Sequence, residues 1–334
     1  MEVKTLLLSD THLGLYDAAD FWHEVVLKLF QHIADFCNRN NIKRIIHLGD
    51  FFEKRKAINV KSLWYAAEYI GPILNEFETY IVVGNHDTFY KNQIKPHSLV
   101  VFKEYENITI VDEPMTLPCG QIGLVPWQGE KVLGVYTLMG HFAINDFKMN
   151  EGYTMKRADD PMEYGVYRQV ISGHFHTPMT KHNISYIGAP FQQNFADVGG
   201  ERGFYVHEGR NLEFFEYTDA PHFLKIIAEK EMSKGLDDEL ASSIKNNVIK
   251  LIFEEDFGTQ VSNLIVEAIQ FHKPLKLFPD FGRISAELTE ESIPDTAEMT
   301  DNKEIVRDYI TKSEVPEELD KNTIVEMMIS LAKE

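Results

Sequence analysis

Short apolar runs that end in polar, ligand-type residues recur along the first part of the chain. Residues 3–8 (Val-Lys-Thr-Leu-Leu-Leu) lead into Ser9-Asp10-Thr11-His12. Residues 43–48 lead into Gly49-Asp50, and the run Tyr80 to Val83 leads into Gly84-Asn85-His86-Asp87. An apolar run of this length without alternation reads as a strand buried on both faces. Between these runs the spacing changes to four. Phe21, Val25, Leu29 and Ile33 predict a helix from Asp20 to about Asn40, and a second helix fits Asn59 to Asn75. Strand, helix, strand, helix, strand predicts a parallel sheet covered on both faces. In such sheets ligands sit beyond the carboxyl ends of the strands. All three polar stretches fall at that edge.

From Ile108 to Tyr217 short strands dominate: Ile108–Val111, Ile122–Pro126, Val135–Met139, Val170–Ser172, Ile184–Ile187, Gly203–His207 and Leu212–Tyr217. Two of them run into histidine, at Gly140-His141 and at Gly173-His174-Phe175-His176. Asn145 to Met162 is polar with little periodicity and reads as a loop near the site. Thr218-Asp219-Ala220-Pro221 marks a boundary. Beyond it, strands at Phe223–Ala228, Val248–Phe253 and Ile284–Leu288 and a helix at Gln260–His272 make a small α+β unit. After Pro294 an acidic, Thr-rich linker leads to two short helical patterns. One stripe holds Ile305, Val306, Tyr309 and Ile310; the other holds Ile324, Val325, Met328, Ile329 and Ala332. Helices this short are marginal alone, so they dock on their own protein or await a partner. The expected domains are therefore 1–220, 221–292 and 293–334.

Composition narrows the class. A chain of 334 residues suits two domains, and 44% hydrophobic with 25% charged residues is ordinary for a globular protein. No apolar run approaches the ~20 residues of a membrane span. The first residues enter strand-like sequence directly, without a signal-peptide pattern. Cys37 and Cys119 lack the spacing of a thiolate metal site and suggest a reducing compartment. The expected location is the cytoplasm, or the host cytoplasm for a viral protein. The net charge of −19 argues against nucleic-acid binding by the whole surface. Residues 287–334 hold 14 acidic and 5 basic residues, so about half of that excess sits in the tail. The densest basic cluster is Lys54-Arg55-Lys56, with Lys61 close behind. It directly follows a candidate ligand and so is placed to face a phosphate backbone.

Asp10, His12, Asp50, Asn85, His86, His141, His174 and His176 each follow an apolar run. The set is all oxygen and nitrogen, which suits manganese, iron or zinc rather than copper(I). It is too large for one four-coordinate site, and a carboxylate shared between two ions resolves the count. Two divalent ions ~3.5–4 Å apart acidify a bound water and clamp phosphate oxygens, the requirements of phosphodiester hydrolysis. A histidine titrating near neutrality serves beside them as acid or hydrogen-bond donor.

Asp10-x-His12, Gly49-Asp50, Gly84-Asn85-His86-Asp87, Gly140-His141 and Gly173-His174-Phe175-His176 together resemble, in order, the motifs of the calcineurin-like metallophosphoesterases. The resemblance covers residues 1 to about 215. Within that superfamily the chain looks most like the SbcD-type nuclease subunits, especially their bacteriophage recombination-endonuclease version. The stretches 49–58, 186–190 and 202–206, the small domain and the acidic tail carry that finer likeness. The resemblance implies an α/β fold: a two-sheet sandwich flanked by helices, with a small α+β capping domain and a helical C-terminal tail. It implies that Asp10, His12 and His176 bind one metal, that Asn85, His141 and His174 bind a second, and that Asp50 bridges both. His86 would face the scissile phosphate, with Asp87 orienting it. The ions would be manganese, with magnesium, iron or zinc as alternatives.

The implied activity is an exonuclease or endonuclease acting on DNA in recombination, repair and replication. A homodimer, formed through helices near 60–75 and 92–105, would sit in a heterotetramer with an SbcC-type coiled-coil ATPase. Ile305, Tyr309, Ile324 and Met328 are the candidate partner contacts, and Lys54, Arg55 and Lys56 the candidate DNA contacts. Many cellular relatives carry a histidine three positions after the shared aspartate, where this chain has Glu53. That leaves the balance of exonuclease and endonuclease action open. The alternatives are another metallophosphoesterase activity, on phosphoproteins or cyclic nucleotides, and a metal-ordered DNA-end tether without catalysis.

Overall fold

A computed structural model describes residues 3–150, 153–154, 158–228, 238–254 and 258–281. Contacts divide the chain into Met1–Arg283 and Ile284–Glu334. Only the first unit is described below. The strand expected at Ile284–Leu288, and Ile305, Tyr309, Ile324 and Met328, lie outside the described residues.

Two six-stranded sheets build most of the unit. In the first, β1 (Thr5–Leu8), β2 (Arg44–His47), β3 (Glu78–Val82) and β6 (Ile108–Val111) run parallel, and β15 (Gly203–Glu208) and β16 (Asn211–Glu216) add antiparallel beyond β1. In the second, β8 (Ile122–Val125), β9 (Thr137–His141), β12 (Gln169–Gly173) and β14 (Ile184–Tyr186) are parallel. Its edges are the antiparallel β7 (Met115–Thr116) and β13 (Met179–Lys181).

The unbroken apolar runs are explained by burial on both faces. Leu7, Ile46, Tyr80 and Val82 meet Leu124, Met139 and Ile171 between the two sheets. Their neighbours Leu6, Leu8, Ile45 and Ile81 point the other way, onto Trp22, Val26, Leu29, Phe30 and Ile33. Those belong to the helix Asp20–Arg39, whose buried stripe is the one the fourfold spacing predicts.

The helix expected at Asn59–Asn75 is one path with a fault in it. Asn59 caps it by accepting from Lys61 N at 2.9 Å. The α-helical stretch Val60–Tyr65 then widens into a π-turn over Ala66–Ile70 before α geometry resumes at Gly71–Leu74. Pro72 has no amide to donate to the preceding turn, and the hydrogen-bond ladder slips there. The region around 92–105 is not the helix the resemblance implies. It is a hairpin strand, β5 (Gln93–His97), paired with β4 (Thr88–Tyr90), followed by a 3-10 turn at Ser98–Phe102. Pro96 and the exposed polar residues around it deny that stretch a helical stripe. The polar segment after Asn145 is also more than a loop, since β10 (Lys148–Asn150) pairs with β11 (Tyr153–Thr154). Strands this short leave no periodic signal.

A third sheet follows: β17 (Phe223–Ile227), β18 (Val248–Ile252) and β19 (Lys276–Asp280), all parallel. The helices Asp238–Ile244 and Gly258–Phe271 belong to the crossovers, and Ile226, Ile244, Ile249, Leu251 and Ile269 form a core of their own. Phe223 and Phe278 seat this sheet against Tyr16 and Phe195 of the larger part. β19 takes the sheet edge, at a position the sequence pattern did not mark as a strand. No helix among the described residues is long and apolar enough to cross a membrane.

Candidate metal centre

The loops after β1, β2 and β3 of one sheet, and the ends of β9 and β12 of the other, meet at one rim. Sharp turns bring them there. Asp10, His12, Asp50 and His174 all have positive φ, between 43 and 89°. A side chain in that region costs about 1–2 kcal/mol, and such strain collects at functional sites. Bonds between loops hold the turns: Asp10 N to Gly49 O at 3.0 Å, His12 N to Asp50 O at 3.2 Å and Leu13 N to Phe51 O at 2.7 Å. Two glycines permit the close approach. Gly49 has φ 98°, and a Cβ there would strike the His141 ring. A Cβ at Gly84 would land on the amide and carboxylate of Asp50.

The result is two groups of donors. The ligand atoms of Asp10, His12 and His176 lie within 4.8 Å of one another, and so do those of Asp50, His141 and His174. Asp50 stands between the groups. Its Oδ2 is 3.3 Å from His141 Nε2 and 3.9 Å from His12 Nε2. Asn85 joins the second group, with Oδ1 2.8 Å from the same His141 nitrogen. All of these are buried except His176, whose side chain is 27% exposed.

The imidazoles of His141, His12 and His176 are each faced by an oxygen on their far side. A carbonyl or carboxylate oxygen can only accept, so the ring nitrogen facing it must carry the proton. His141 Nδ1–H donates to Leu48 O at 2.7 Å, which turns Nε2 toward Asp50. His12 Nδ1–H meets the Glu53 carboxylate at 2.6 Å. His176 Nδ1 faces Asp197 at 3.9 Å, and Asp197 is itself held by Gln193 N at 3.0 Å and Arg202. This is the usual outer arrangement around metal-binding histidines.

Charge in the centre is finely opposed. Burial works against an ionised Asp50, yet the imidazoles of His141, His86 and His12 hold its carboxyl well below the usual range. Burial also disfavours a charged His141, but Asp50 outweighs it and lifts the imidazole to about 9. His176 is likewise raised to about 9, Asp197 outweighing the cost of its partial burial. The buried carboxylates thus demand positive charge. His12 Nε2 is buried with no hydrogen-bond partner among the described residues. An orphaned nitrogen facing a carboxylate across 3.9 Å is what a cation between them would satisfy. The residues present therefore fit divalent ions.

His86 joins the rim beside the first group, its ring 4.9 Å from that of His12. Its Nδ1–H donates to Glu53 O at 2.7 Å. Here the structure corrects an expectation, because Asp87 does not orient His86. The Asp87 carboxylate accepts from the amides of Phe51 and Phe52 at 3.1 Å and Gly84 at 2.9 Å. It buckles the Asp50 loop to the Asn85 loop. Burial and the charge of Asp50 push its carboxyl up to about 6. The basic run lies mostly at the surface. Lys54 is exposed and pairs with Asp17 at 2.5 Å, Arg55 is half-buried, and Lys56 is exposed. Lys54 and Asp17 line a cleft of about 310 Å³ that also takes in Leu13, Asn59 and Ser62.

A family model, calcineurin-like phosphoesterase, matches residues 3–195. The chain belongs to that family. This phosphoesterase is 30% identical over 219 residues to "Exonuclease subunit 1" of Enterobacteria phage T4, covering 62% of the chain and 65% of that protein. The match thus spans just under two thirds of the phage protein's length. A protein described as a phosphoesterase in Invertebrate iridescent virus 3 is 23% identical over 301 residues, covering 77% of this chain and 83% of its own.

Sequence reasoning on this phosphoesterase missed the outer partners. Asp197 and Gln193 sit in a loop with no motif, and only the fold carries them to His176 and Asp10. Trp127 was also missed. Its ring lies 5.1 Å from His174 and 5.9 Å from His141 and screens the second group. Glu53 stood out as a departure from a pattern, and its contact with His12 gives it a place.

Proposed function

We propose that this phosphoesterase is a metal-dependent DNA nuclease subunit that hydrolyses phosphodiester bonds with two divalent ions. Asp10, His12 and His176 would hold one ion and Asn85, His141 and His174 the other, with Asp50 shared. The observation that carries this reading is the Asp50 carboxylate set between His12 and His141. When bound, such a pair of ions supplies an acidified water and neutralises phosphate charge. The chain's own residues do the rest. The steered imidazoles keep their lone pairs on the centre. Asp87 keeps the Asp50 and Asn85 loops in register. His86, with Nδ1–H on the Glu53 carbonyl, acts as the imidazolium: its Nε2–H donates to the charge that builds on phosphate and passes its proton to the leaving oxygen, leaving a neutral ring.

The oxygen and nitrogen donor set favours manganese, with magnesium, iron or zinc as substitutes. The phage relative is named an exonuclease subunit, which supports a nucleic-acid substrate and a larger assembly as setting. In this reading the partner is an SbcC-type coiled-coil ATPase, and the context is recombination, repair and DNA replication. An ATPase that brings its own DNA affinity accounts for a nuclease subunit with net charge −19.

The test is hydrolysis by the purified chain with manganese, on end-labelled linear and circular DNA, on a phosphopeptide and on a cyclic nucleotide. DNA cleavage is the expected result. Turnover of the small substrates alone overturns the nuclease reading. In the same assay His86→Asn retains both ions by elemental analysis and loses about 10²–10⁴-fold in rate. Cleavage at the wild-type rate would remove His86 from the mechanism.

A further inference from the structure

Glu53 makes two contacts that nothing in the family motifs requires. Its side-chain Oε2 lies 2.6 Å from His12 Nδ1. Its main-chain oxygen lies 2.7 Å from His86 Nδ1. One residue therefore faces two imidazoles, one through each kind of oxygen. Its own backbone is pinned by the loop it steers. Glu53 N donates to Leu13 O at 3.1 Å, beside the isolated bridge between Leu13 and Phe52. The carboxylate is three quarters buried, with 24% of the side chain exposed. It is thus set by a rigid turn rather than reaching in from a mobile arm.

We infer that Glu53 is the positioning residue for one half of the centre, its carboxylate holding His12 so that Nε2 faces Asp50. The inference rests on the two-ion reading above. The physical basis is a proton count. A carboxylate accepts only, so His12 carries its proton on Nδ1, and the lone pair on Nε2 is committed to the centre. A short charge-assisted bond also pushes electron density toward Nε2 and makes it a stronger ligand. His86 is steered by the Glu53 carbonyl, a main-chain oxygen that a side-chain substitution at 53 retains. The two contacts therefore separate cleanly by mutation. The side chain governs His12, and the main chain governs His86.

A different use of the same cluster is a third cation, because donor atoms of His12, Glu53 and His86 also lie within 4.8 Å of one another. The distances disfavour it. Two ligands each ~2.0–2.2 Å from one ion stand about 3 Å apart at a right angle. His12 Nδ1 and Glu53 Oε2 are already closer, at 2.6 Å, and joined by a hydrogen bond.

The experiment titrates metal-free full-length protein with Mn2+ and counts bound ions by equilibrium dialysis, with electron paramagnetic resonance reporting their environment. Wild type takes up two ions. Glu53→Ala weakens one of them about 10–100-fold, the range for losing an outer partner of a metal-binding histidine, and leaves the other unchanged. Glu53→Gln keeps an acceptor oxygen in place and recovers most of that affinity. If Glu53→Ala does not melt as a folded protein, Glu53→Leu replaces it, keeping bulk without an acceptor. Equal weakening of both ions, no weakening, or a Gln variant as poor as Ala overturns the role of Glu53. A third ion in wild type that Glu53→Ala abolishes overturns it in favour of the cation. Failure of wild type to bind two ions instead brings down the two-ion reading itself.

Discussion

The two halves of the centre are held by different means. In the half built from Asn85, His141 and His174, the His141 ring is steered by a main-chain oxygen, that of Leu48. The His174 amide donates to the Asp10 carboxylate at 3.1–3.2 Å. These side chains are buried, and Trp127 covers them. In the half built from Asp10, His12 and His176, side-chain carboxylates do the steering, Glu53 for His12 and Asp197 for His176. That half is also the wetter one, since His176 is 27% exposed. A main-chain acceptor cannot be substituted away, whereas a carboxylate can. The His141 ring is therefore fixed by the fold, whereas the His12 and His176 rings are open to adjustment by single replacements.

Asp50 belongs to both halves and is where the distinction should vanish. Asp50→Ala removes a carboxylate that lies near both His12 and His141. It also takes the acceptor for His86 N at 2.8 Å, so the Asn85 loop loses an anchor. The expected outcome is loss of both ions by elemental analysis. The rate should fall by more than the ~10–100-fold of an outer partner. His12→Ala, in contrast, should cost only one ion. Retention of one tightly bound ion by Asp50→Ala would mean that the halves do not share this residue.

Gly84→Ala strikes the main-chain half with no change of charge. A Cβ at that position would sit on the Asp50 amide and carboxylate, so the two loops must part. Overpacking of this kind costs about 1–3 kcal/mol. A thermal melt should fall by several degrees, and the ion held by Asn85, His141 and His174 should be lost first. If instead the ion at Asp10, His12 and His176 is the one that weakens, the main chain is not what holds the second half.

The same contrast explains what could be read from the sequence. The sheets, the long helix and the inward-facing donors follow from apolar runs closed by Gly and a polar residue, as at Leu48-Gly49-Asp50 and Val83-Gly84-Asn85. Those runs carry the fold and the donors together, because the donors sit where buried strands stop. Asp87 misled, because adjacency to His86 suggests a pair while the turn aims its carboxylate back at the amides of Phe51 and Phe52. Asp197 could not be found at all. It lies 21 residues past His176 in a polar loop, and only the fold joins them. The strand β19 escaped because its alternation is weak and interrupted by Pro279.

The mildest change tests the side-chain half alone. Asp197→Asn keeps the shape and an oxygen to accept from Gln193 N, so the loop should stay in place. What it removes is the negative charge facing His176. That charge matters, since Asp197 is what lifts the His176 imidazole to about 9 against its partial burial. The effect on ion binding should nevertheless be smaller than at Glu53, for two reasons. The His176–Asp197 approach is 3.9 Å, against 2.6 Å for His12–Glu53. His176 is also partly exposed, so water replaces some of the lost interaction. A weakening near the low end of the ~10–100-fold range is expected, confined to the ion of Asp10, His12 and His176, together with a lower melting temperature, because the buried Arg202 loses its carboxylate partner. An equal loss at the other ion would show that the halves are coupled through Asp10, whose carboxylate also receives His174 N, and the division between main-chain and side-chain support would then fail.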